Sequence, residues 1–473
     1  MSRYEGPKHI DGQRTDPRDI LSTSYLKLTN LRQLKVGEMK EVASEMNTAI
    51  ERKIYKGKAY PTFLRPTSKE TVKKLVNEGT FVIEVGGTRM RANHWKNDNG
   101  TLSQVGDKFE GRLKKDGKEA TVFKSPEDFF DSLFDSMAGL VDKIKENPKI
   151  PLSIIFSFEG RPVETDQGLD YIVTRLSKGF IIPGMLNNSF ITLLNNYLKD
   201  KHGITEHRKM ALFNDTAILS TKNIGTVVGT GFNYALKVQI SKLREILGKE
   251  FARKEGWQDN EFMIVNIEAA EEGIIGKYMG INNPRSMLSR VDAGSENRGH
   301  ALEEKVISGK YLGESLKIIL SDLNKISLGR AVKGLDHNAI ISSADLSNIL
   351  EGKWDSISSL YFNPNFRNVI KGICEILRDR AAFTLSSLIV GGLDFTGDIS
   401  LDALVEGSLF WNLPGFKEKV AEGIKILEGD QFEIKFTNTV QESDGNEKSA
   451  SQYFGALAGM QFFHDFEKRK IAA

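Results

Sequence analysis

A chain of 473 residues, 40% hydrophobic and 27% charged, is long enough for two or three cores, and two large domains are the expectation. Sixty-five Lys and Arg stand among 63 Asp and Glu with both signs interspersed, and the resulting net charge of +2 excludes a field that would select nucleic acid. A single cysteine, Cys374, excludes an intramolecular disulfide, and seven histidines without metal-ligand spacing argue against a dedicated zinc site, so any metal should arrive with its ligand.

Residues 1–18 are polar and mixed in charge, unlike a signal peptide, so a cytoplasmic setting is expected. Residues 28–53 carry Leu, Val and Met at helical spacing, which predicts one or two helices packing on a core, without recognisable chemistry. Phe81-Val82-Ile83 then reads as a strand, Gly86-Gly87-Thr88 as a turn and residues 90–95 as the returning strand. Residues 126–143 and 239–255 read as helices, and residues 152–156 and 262–265 as buried strands. A second glycine hairpin turns at Gly229-Thr230-Gly231 between residues 226–228 and 234–238. Two such hairpins predict two similar halves that grip a polyphosphate between opposed loops, and alternating strands and helices mean an α/β class. A helix over 304–323 opens a helix-rich stretch that continues past Arg380, and another helix runs from Tyr453 onward. The longest mostly apolar stretch, 381–393, is interrupted by Thr384, Ser386 and Ser387 and falls short of the ~20 residues of a membrane helix, so no membrane partner is expected.

Chemistry gathers at strand ends. Phe213-Asn214-Asp215-Thr216 follows the apolar run Met210-Ala211-Leu212, which would deliver an amide and a carboxylate to the open end of a buried strand. A carboxylate there can take a proton from a hydroxyl, although an Asn-Asp pair by itself is ordinarily a turn or helix cap. Glycines at hairpin tips expose N–H groups for close approach by phosphate, and the ordinary reading of each is a plain turn. Ser157, Ser177 with Lys178, Asn214 with Asp215, Asn233, Glu268 and Glu304 are the donors and acceptors that polyol hydroxyls need, yet each alone also suits a surface or a cap.

Taken in order, these segments resemble the eukaryotic-type hexokinase family from about residue 80 onward. Phe156-Ser157-Phe158 is similar to its serine strand, and Ser177-Lys178-Gly179-Phe180 to its Thr-Lys-Gly-Phe loop. Phe213 to Thr216 matches the strand of its catalytic aspartate, Gly229 to Asn233 its Gly-Thr-Gly-x-Asn, and Asn266-Ile267-Glu268 its Asn-Met-Glu. The run from Glu304 to Glu314 resembles its longest helical signature, and Asp379-Arg380-Ala381-Ala382 also fits.

The resemblance implies a two-lobed actin-like (ribonuclease H-like) ATPase fold with a sugar and nucleotide cleft between lobes. It implies an N-terminal helical segment over 1–79, a small lobe over 80–214 joined by a helix over 453–473, and a large lobe over 215–452. The implied reaction is ATP-dependent phosphorylation of a hexose, glucose first, at the 6-hydroxyl, with the lobes closing over the sugar. Asp215 would be the general base with Lys178 beside it, and Ser157, Ser177, Lys178, Asn214, Asn233, Glu268 and Glu304 would hold the sugar. Gly86, Gly87, Thr88, Arg91, Gly229, Thr230, Gly231, Ser343, Ser347, Gly407 and Ser408 would hold ATP. Mg²⁺ would have no direct protein ligand, with Glu84 reaching it through water. Monomer and homodimer both stay open.

Departures from the family pattern gather on the nucleotide side. Glu84 stands for the family's aspartate and Arg89 for its asparagine, and Ala217-Ile218-Leu219 replaces a Gly-Thr. Asp444 to Ala450 lacks two glycines of the adenosine loop, and Ala344 stands for a lysine. Sugar binding is therefore better supported than ATP binding. The alternative is a catalytically weak or inactive sugar-binding sensor; a kinase with another donor or acceptor, such as an amino sugar, is a third reading, and a nucleotide-controlled polymer or chaperone of the actin-like superfamily a fourth.

Overall fold

The computed structural model describes residue 26 and residues 29–472, apart from 67–72, 74, 76–78, 87–89, 113–120, 166–167, 177–179, 205–208, 221, 254–255, 296, 337–338, 358–359 and 442–446. The main strands are β1 (Tyr60–Pro61), β2 (Gly79–Val85), β3 (Met90–Asp98), β4 (Thr101–Gly111), β5 (Leu152–Phe156), β6 (Glu159–Thr165), β7 (Gly168–Arg175), β8 (Met210–Asn214), β9 (Ile224–Val228), β10 (Phe232–Gln239), β11 (Phe262–Asn266), β12 (Leu401–Glu406) and β13 (Ile434–Thr437). They form one sheet in the order β4-β3-β2-β5-β8-β7-β6 and another in the order β1-β11-β10-β9-β12-β13.

The two sheets share a common plan. In the first, β2, β3 and β4 form an antiparallel meander, and β5 and β8 continue parallel to β2. In the second, β9, β10 and β11 form the meander, and β12 and β13 continue parallel to β9. The central parallel strands β5, Leu-Ser-Ile-Ile-Phe, and β8, Met-Ala-Leu-Phe-Asn, are buried at every residue, as strands covered on both faces must be. The expected α/β class and the glycine hairpin of β9 and β10 are present, and β2 pairs with β3 as expected, while Gly87 and Thr88 of the first turn lie outside the described residues.

Helices cover these sheets. The helix Ala450–Ala472 crosses the first sheet over β2 and β5. Glycines make that approach possible: a Cβ at Gly455 would lie 2.5 Å from Ile155 Cδ1, and one at Gly459 would lie 2.7 Å from Ser153 Cβ. Ser153 Oγ donates to the Gly455 carbonyl at 2.7 Å across the contact. The helix Val36–Tyr55 buries Met39, Val42, Ala43, Met46, Ala49, Ile50 and Ile54 at three- and four-residue spacing, and packs on the long helix Arg367–Thr396. Residues 36–61 therefore join the core of the second sheet, to which β1 adds an edge strand against β11.

Three predicted helices are shorter or divided. Residues 126–143 form two helices, Pro126–Asp135 and Leu140–Glu146, separated at Gly139 with φ 85°. The helix after β10 stops at Leu247, where Gly248 has φ 100°. Ser308, extended at ψ 154°, splits Leu302–Ile307 from Gly309–Ile326. A left-handed glycine ends a helix at little steric cost, whereas the break at Ser308 has no local sequence signal. Among the described residues no helix is long and apolar enough to cross a membrane, and no group of three His, Cys, Asp or Glu could hold a metal ion. Cys374 is buried in the long helix, and burial pushes its thiol far up, as befits a packing residue.

Candidate active site

Strand register builds the first wall of the site. Val85, Phe156 and Asn214 end β2, β5 and β8 in register, so the next residues, Gly86, Ser157 and Asp215, emerge side by side at one sheet edge. Ser157 N donates to Val85 O at 3.2 Å across that edge. Asn214 is buried and caps the short helix Asp215–Leu219, its Oδ1 accepting from Thr216 N at 2.9 Å. Asp215 Oδ1 accepts from the same N–H at 2.8 Å and from Thr216 Oγ1 at 3.2 Å, which fixes the carboxylate at the mouth of the strand.

The second sheet supplies a polar relay. Asn233 Oδ1 accepts from Tyr234 N at 2.8 Å and Ala269 N at 3.1 Å, and its Nδ2 donates to Asn266 Oδ1 at 2.8 Å. Asn266 Nδ2 in turn donates to Glu268 Oε1 at 2.7 Å. The relay aims the Glu268 carboxyl, while Glu304 Oε2 accepts from Phe232 N at 3.4 Å on the adjoining hairpin. Ser157, Asn214, Asp215 and Glu268 thus occupy strand ends and the turns that follow them, Asn233 the start of β10, and Glu304 the first turn of the helix Leu302–Ile307. Ser177 and Lys178 lie outside the described residues, as do Gly87 and Thr88.

At the second sheet, glycine backbones from three distant segments meet. Gly309 N donates to Gly229 O at 2.8 Å, a Cβ on Gly229 would lie 3.4 Å from Gly407 Cα, and one on Gly309 would lie 2.9 Å from Ser343 Oγ. Thr230 is exposed at the tip, and Gly229 N closes the turn on Gly231 O at 3.0 Å. Ser408 opens the short helix Ser408–Asn412, to whose Asn412 carbonyl Ser347 Oγ donates at 2.9 Å. A cradle that side chains would fill suits a bound nucleotide at this junction. The first loop differs: Glu84 Oε2 accepts from Gln452 Nε2 at 3.0 Å and Ser451 Oγ at 3.3 Å, and Arg91 Nη1 lies 3.8 Å away. Its longer carboxylate is thereby engaged by the C-terminal helix.

The cleft is acidic, and burial sets its electrostatics. Burial raises the Glu268 carboxyl well above its ordinary value and the Glu159 charge adds to this, while Lys53 and the Asn266 hydrogen bond oppose them and Asp215 pushes it further up. Glu406, at the end of β12, is pushed up to about 7 by burial and then by Glu84, with Asp215 contributing. Asp215 therefore sits within electrostatic range of both Glu268 and Glu406. Several of these neighbours escaped the sequence reading. Arg175 of β7 donates to Glu271 of the loop after β11 and lies 4.0 Å from Glu159, whose Oε1 accepts from Tyr60 OH at 3.3 Å. These contacts tie the two sheets together beside Glu268 and its turn. The chain separations, 96 residues for Arg175 to Glu271 and 99 for Tyr60 to Glu159, leave no local pattern that could have found them.

Two sheets of one topology, with a carboxylate at the strand ends of the first and a glycine junction at those of the second, define the two-lobed actin-like α/β fold. Comparison with known proteins narrows the class. Two family models, both described as hexokinase, match residues 24–222 and 223–451. The chain belongs to the hexokinase family. It is 26% identical to rat hexokinase-2 over 432 residues, covering 83% of this chain and 43% of that protein, and 26% identical to yeast hexokinase-1, covering 77% and 76%. It thus spans under half the length of the mammalian relative. Among solved structures, a Schistosoma mansoni hexokinase complexed with glucose superimposes with TM-score 0.73 at 20% identity, over 94% of this chain and all of that one. A second hexokinase crystal structure gives 0.65 at 15% identity, over 94% of this chain and 99% of that one.

Proposed function

We propose that this chain phosphorylates a hexose, glucose first, at the 6-hydroxyl with ATP as donor. The observation that supports this most is the placement of Asp215, fixed at a strand mouth beside the Glu268 relay and within electrostatic range of both Glu268 and Glu406. A carboxylate so placed accepts the hydroxyl proton as the oxygen attacks the γ-phosphorus. Ser157, Asn214, Asn233, Glu268 and Glu304, with Ser177 and Lys178, hold the ring, and the family resemblance assigns Lys178 a catalytic part as well. Bound Mg-ATP supplies the phosphoryl group and neutralises its charge. Gly86, Gly87, Thr88, Arg91, Gly229, Thr230, Gly231, Ser343, Ser347, Gly407 and Ser408 would hold it, and Glu84 would face the hydrated metal. Closure of the lobes excludes water that would otherwise take the phosphoryl group.

A second reading, a sugar-binding protein with weak or no catalysis, is favoured by one observation: the Glu84 carboxylate is held by Ser451 and Gln452. ADP release from Mg-ATP, measured with and without glucose, mannose, fructose and glucosamine, separates the two. Sugar-stimulated turnover supports the kinase and ranks its acceptors, whereas a sugar-induced thermal shift without turnover sinks it with this donor.

The raised Glu268 carboxyl gives a pH dependence with a definite sign. Its ionised form is the better acceptor for sugar hydroxyls, and because its ionisation lies above the ordinary range near 4.3, the protein holds a fraction of it protonated near neutrality. KM for glucose should therefore fall as pH rises from about 6 to about 9, and Glu268→Gln should flatten that slope. A slope retained in Glu268→Gln would assign the dependence to another group.

A further inference from the structure

The loop after β11 carries Glu268 at φ 53°, a left-handed conformation that a residue with a Cβ keeps only where its surroundings hold it. One holder comes from outside the strand-end motifs. Lys53, in the last turn of the helix Val36–Tyr55, is only 3% exposed, and its Nζ donates to the Glu268 carbonyl at 2.7 Å. The same ammonium lies 3.1 Å from Glu272 Oε1, so both of these acceptors belong to one loop. A residue needed only for packing would be apolar here, since a buried ammonium must be paired to be retained. On the opposite side, Asn266 Nδ2 holds Glu268 Oε1, so backbone and carboxyl of one residue are gripped from two elements.

We propose that Lys53 is a positioning residue of the sugar site: its ammonium fixes the Glu268 carbonyl, and with it the left-handed backbone that aims the Glu268 carboxyl at the sugar. This rests on the reading of Glu268 as a hexose ligand. The helix Val36–Tyr55, whose sequence shows only amphipathic spacing, thereby becomes part of the site. Lys53 acts on the charge of Glu268 as well, favouring its ionised form against Glu159 and Asp215, with Tyr60 and Tyr171 also close. The carboxylates of Glu271 and Glu272 belong to the same loop and are paired with Arg175 and Arg52.

The test compares Lys53→Met, Lys53→Arg and Glu268→Gln in the full chain, by KM and kcat for glucose at saturating Mg-ATP over a range of pH, with thermal midpoints alongside. Lys53→Met keeps the apolar stem and removes the ammonium, and Glu272 keeps Arg52 at 2.8 Å, so the loop retains a partner. Expected is a KM for glucose raised roughly 10- to 100-fold with kcat changed far less, because the lost aim weakens ground-state and transition-state binding alike. The pH-dependent fall in KM should move to higher pH once the cation is gone, and Lys53→Arg should recover most of the affinity. Where Lys53→Met folds poorly, Lys53→Gln, a polar side chain that ends one atom short of the ammonium position, should give the same rise. A wild-type KM in a folded Lys53→Met or Lys53→Gln variant, with Glu268→Gln impaired, overturns the proposal. Unchanged glucose affinity in Glu268→Gln instead overturns the sugar-site reading beneath it.

Discussion

Asp215→Asn is expected to lower glucose-dependent ADP formation on the order of 10²- to 10⁴-fold while leaving the glucose-induced thermal shift in place. The substitution isolates chemistry from folding. Asparagine retains an oxygen where Asp215 Oδ1 accepts from Thr216 N and Thr216 Oγ1, so the short helix Asp215–Leu219 keeps its first turn. What is lost is the capacity to take a proton and a negative charge in a cleft already rich in carboxyls. Removing that charge also relieves Glu268 and Glu406, whose raised carboxyls both respond to Asp215. Glucose binding should accordingly hold or tighten slightly, and the split between intact binding and lost turnover is the signature of a base. Steady-state rates with Mg-ATP and thermal shifts with glucose alone check it. Turnover within about threefold of wild type would remove Asp215 from that role and return proton transfer to solvent or to another carboxylate.

The parts of this molecule that were legible in its sequence are those whose cause is local. β5 and β8 read as largely apolar runs because both faces are covered, and the hairpin of β9 and β10 turns at Gly229 and Gly231 between two apolar strands. The candidate residues at strand ends, Ser157, Asp215 and Glu268, were legible for the same reason: each follows a buried run by one or two positions, and the order of the segments along the chain carries the family resemblance. Contacts that close over distance were not legible. Lys53 reaches Glu268 across 215 residues, and Ser451 and Gln452 reach Glu84 across 367 and 368. The spacing of residues 36–55 puts Lys53 on the buried stripe, three residues after Ile50 and four after Ala49, but gives no sign of which loop lands on it. Helix limits failed for a related reason. Ser308 breaks its helix in an extended conformation, and the Gly309 N–H beyond the break bonds Gly229, a contact 80 residues away in sequence.

That contact leads to the junction where the nucleotide side is most sensitive. Gly407→Ala is expected to destabilise the fold by about 2–6 kcal/mol, the sum of backbone strain and overpacking. Gly407 has φ 113°, and a Cβ there would lie 2.2 Å from the Val228 carbonyl oxygen and 2.8 Å from Gly229 N. Both neighbours are backbone at the end of β9, which is paired to β10 and β12 and so resists displacement. Relief must come from pushing the Gly407 turn away from Gly229, which opens the cradle formed with Gly309 and Ser343. The surviving folded protein should therefore show a raised KM for ATP with the glucose-induced thermal shift retained, because Asn266 and Glu268 of the relay belong to β11 and the turn after it, one strand beyond β10. Gly429→Ala provides the comparison, since Gly429 has a similar φ of 100° with nothing within 4 Å of its would-be Cβ. It carries the strain without the clash and should lower the thermal midpoint by a smaller amount, with KM for ATP unchanged. Equal losses in the two variants would assign the Gly407 effect to backbone conformation alone, and an unaltered KM for ATP in Gly407→Ala would separate this junction from the nucleotide.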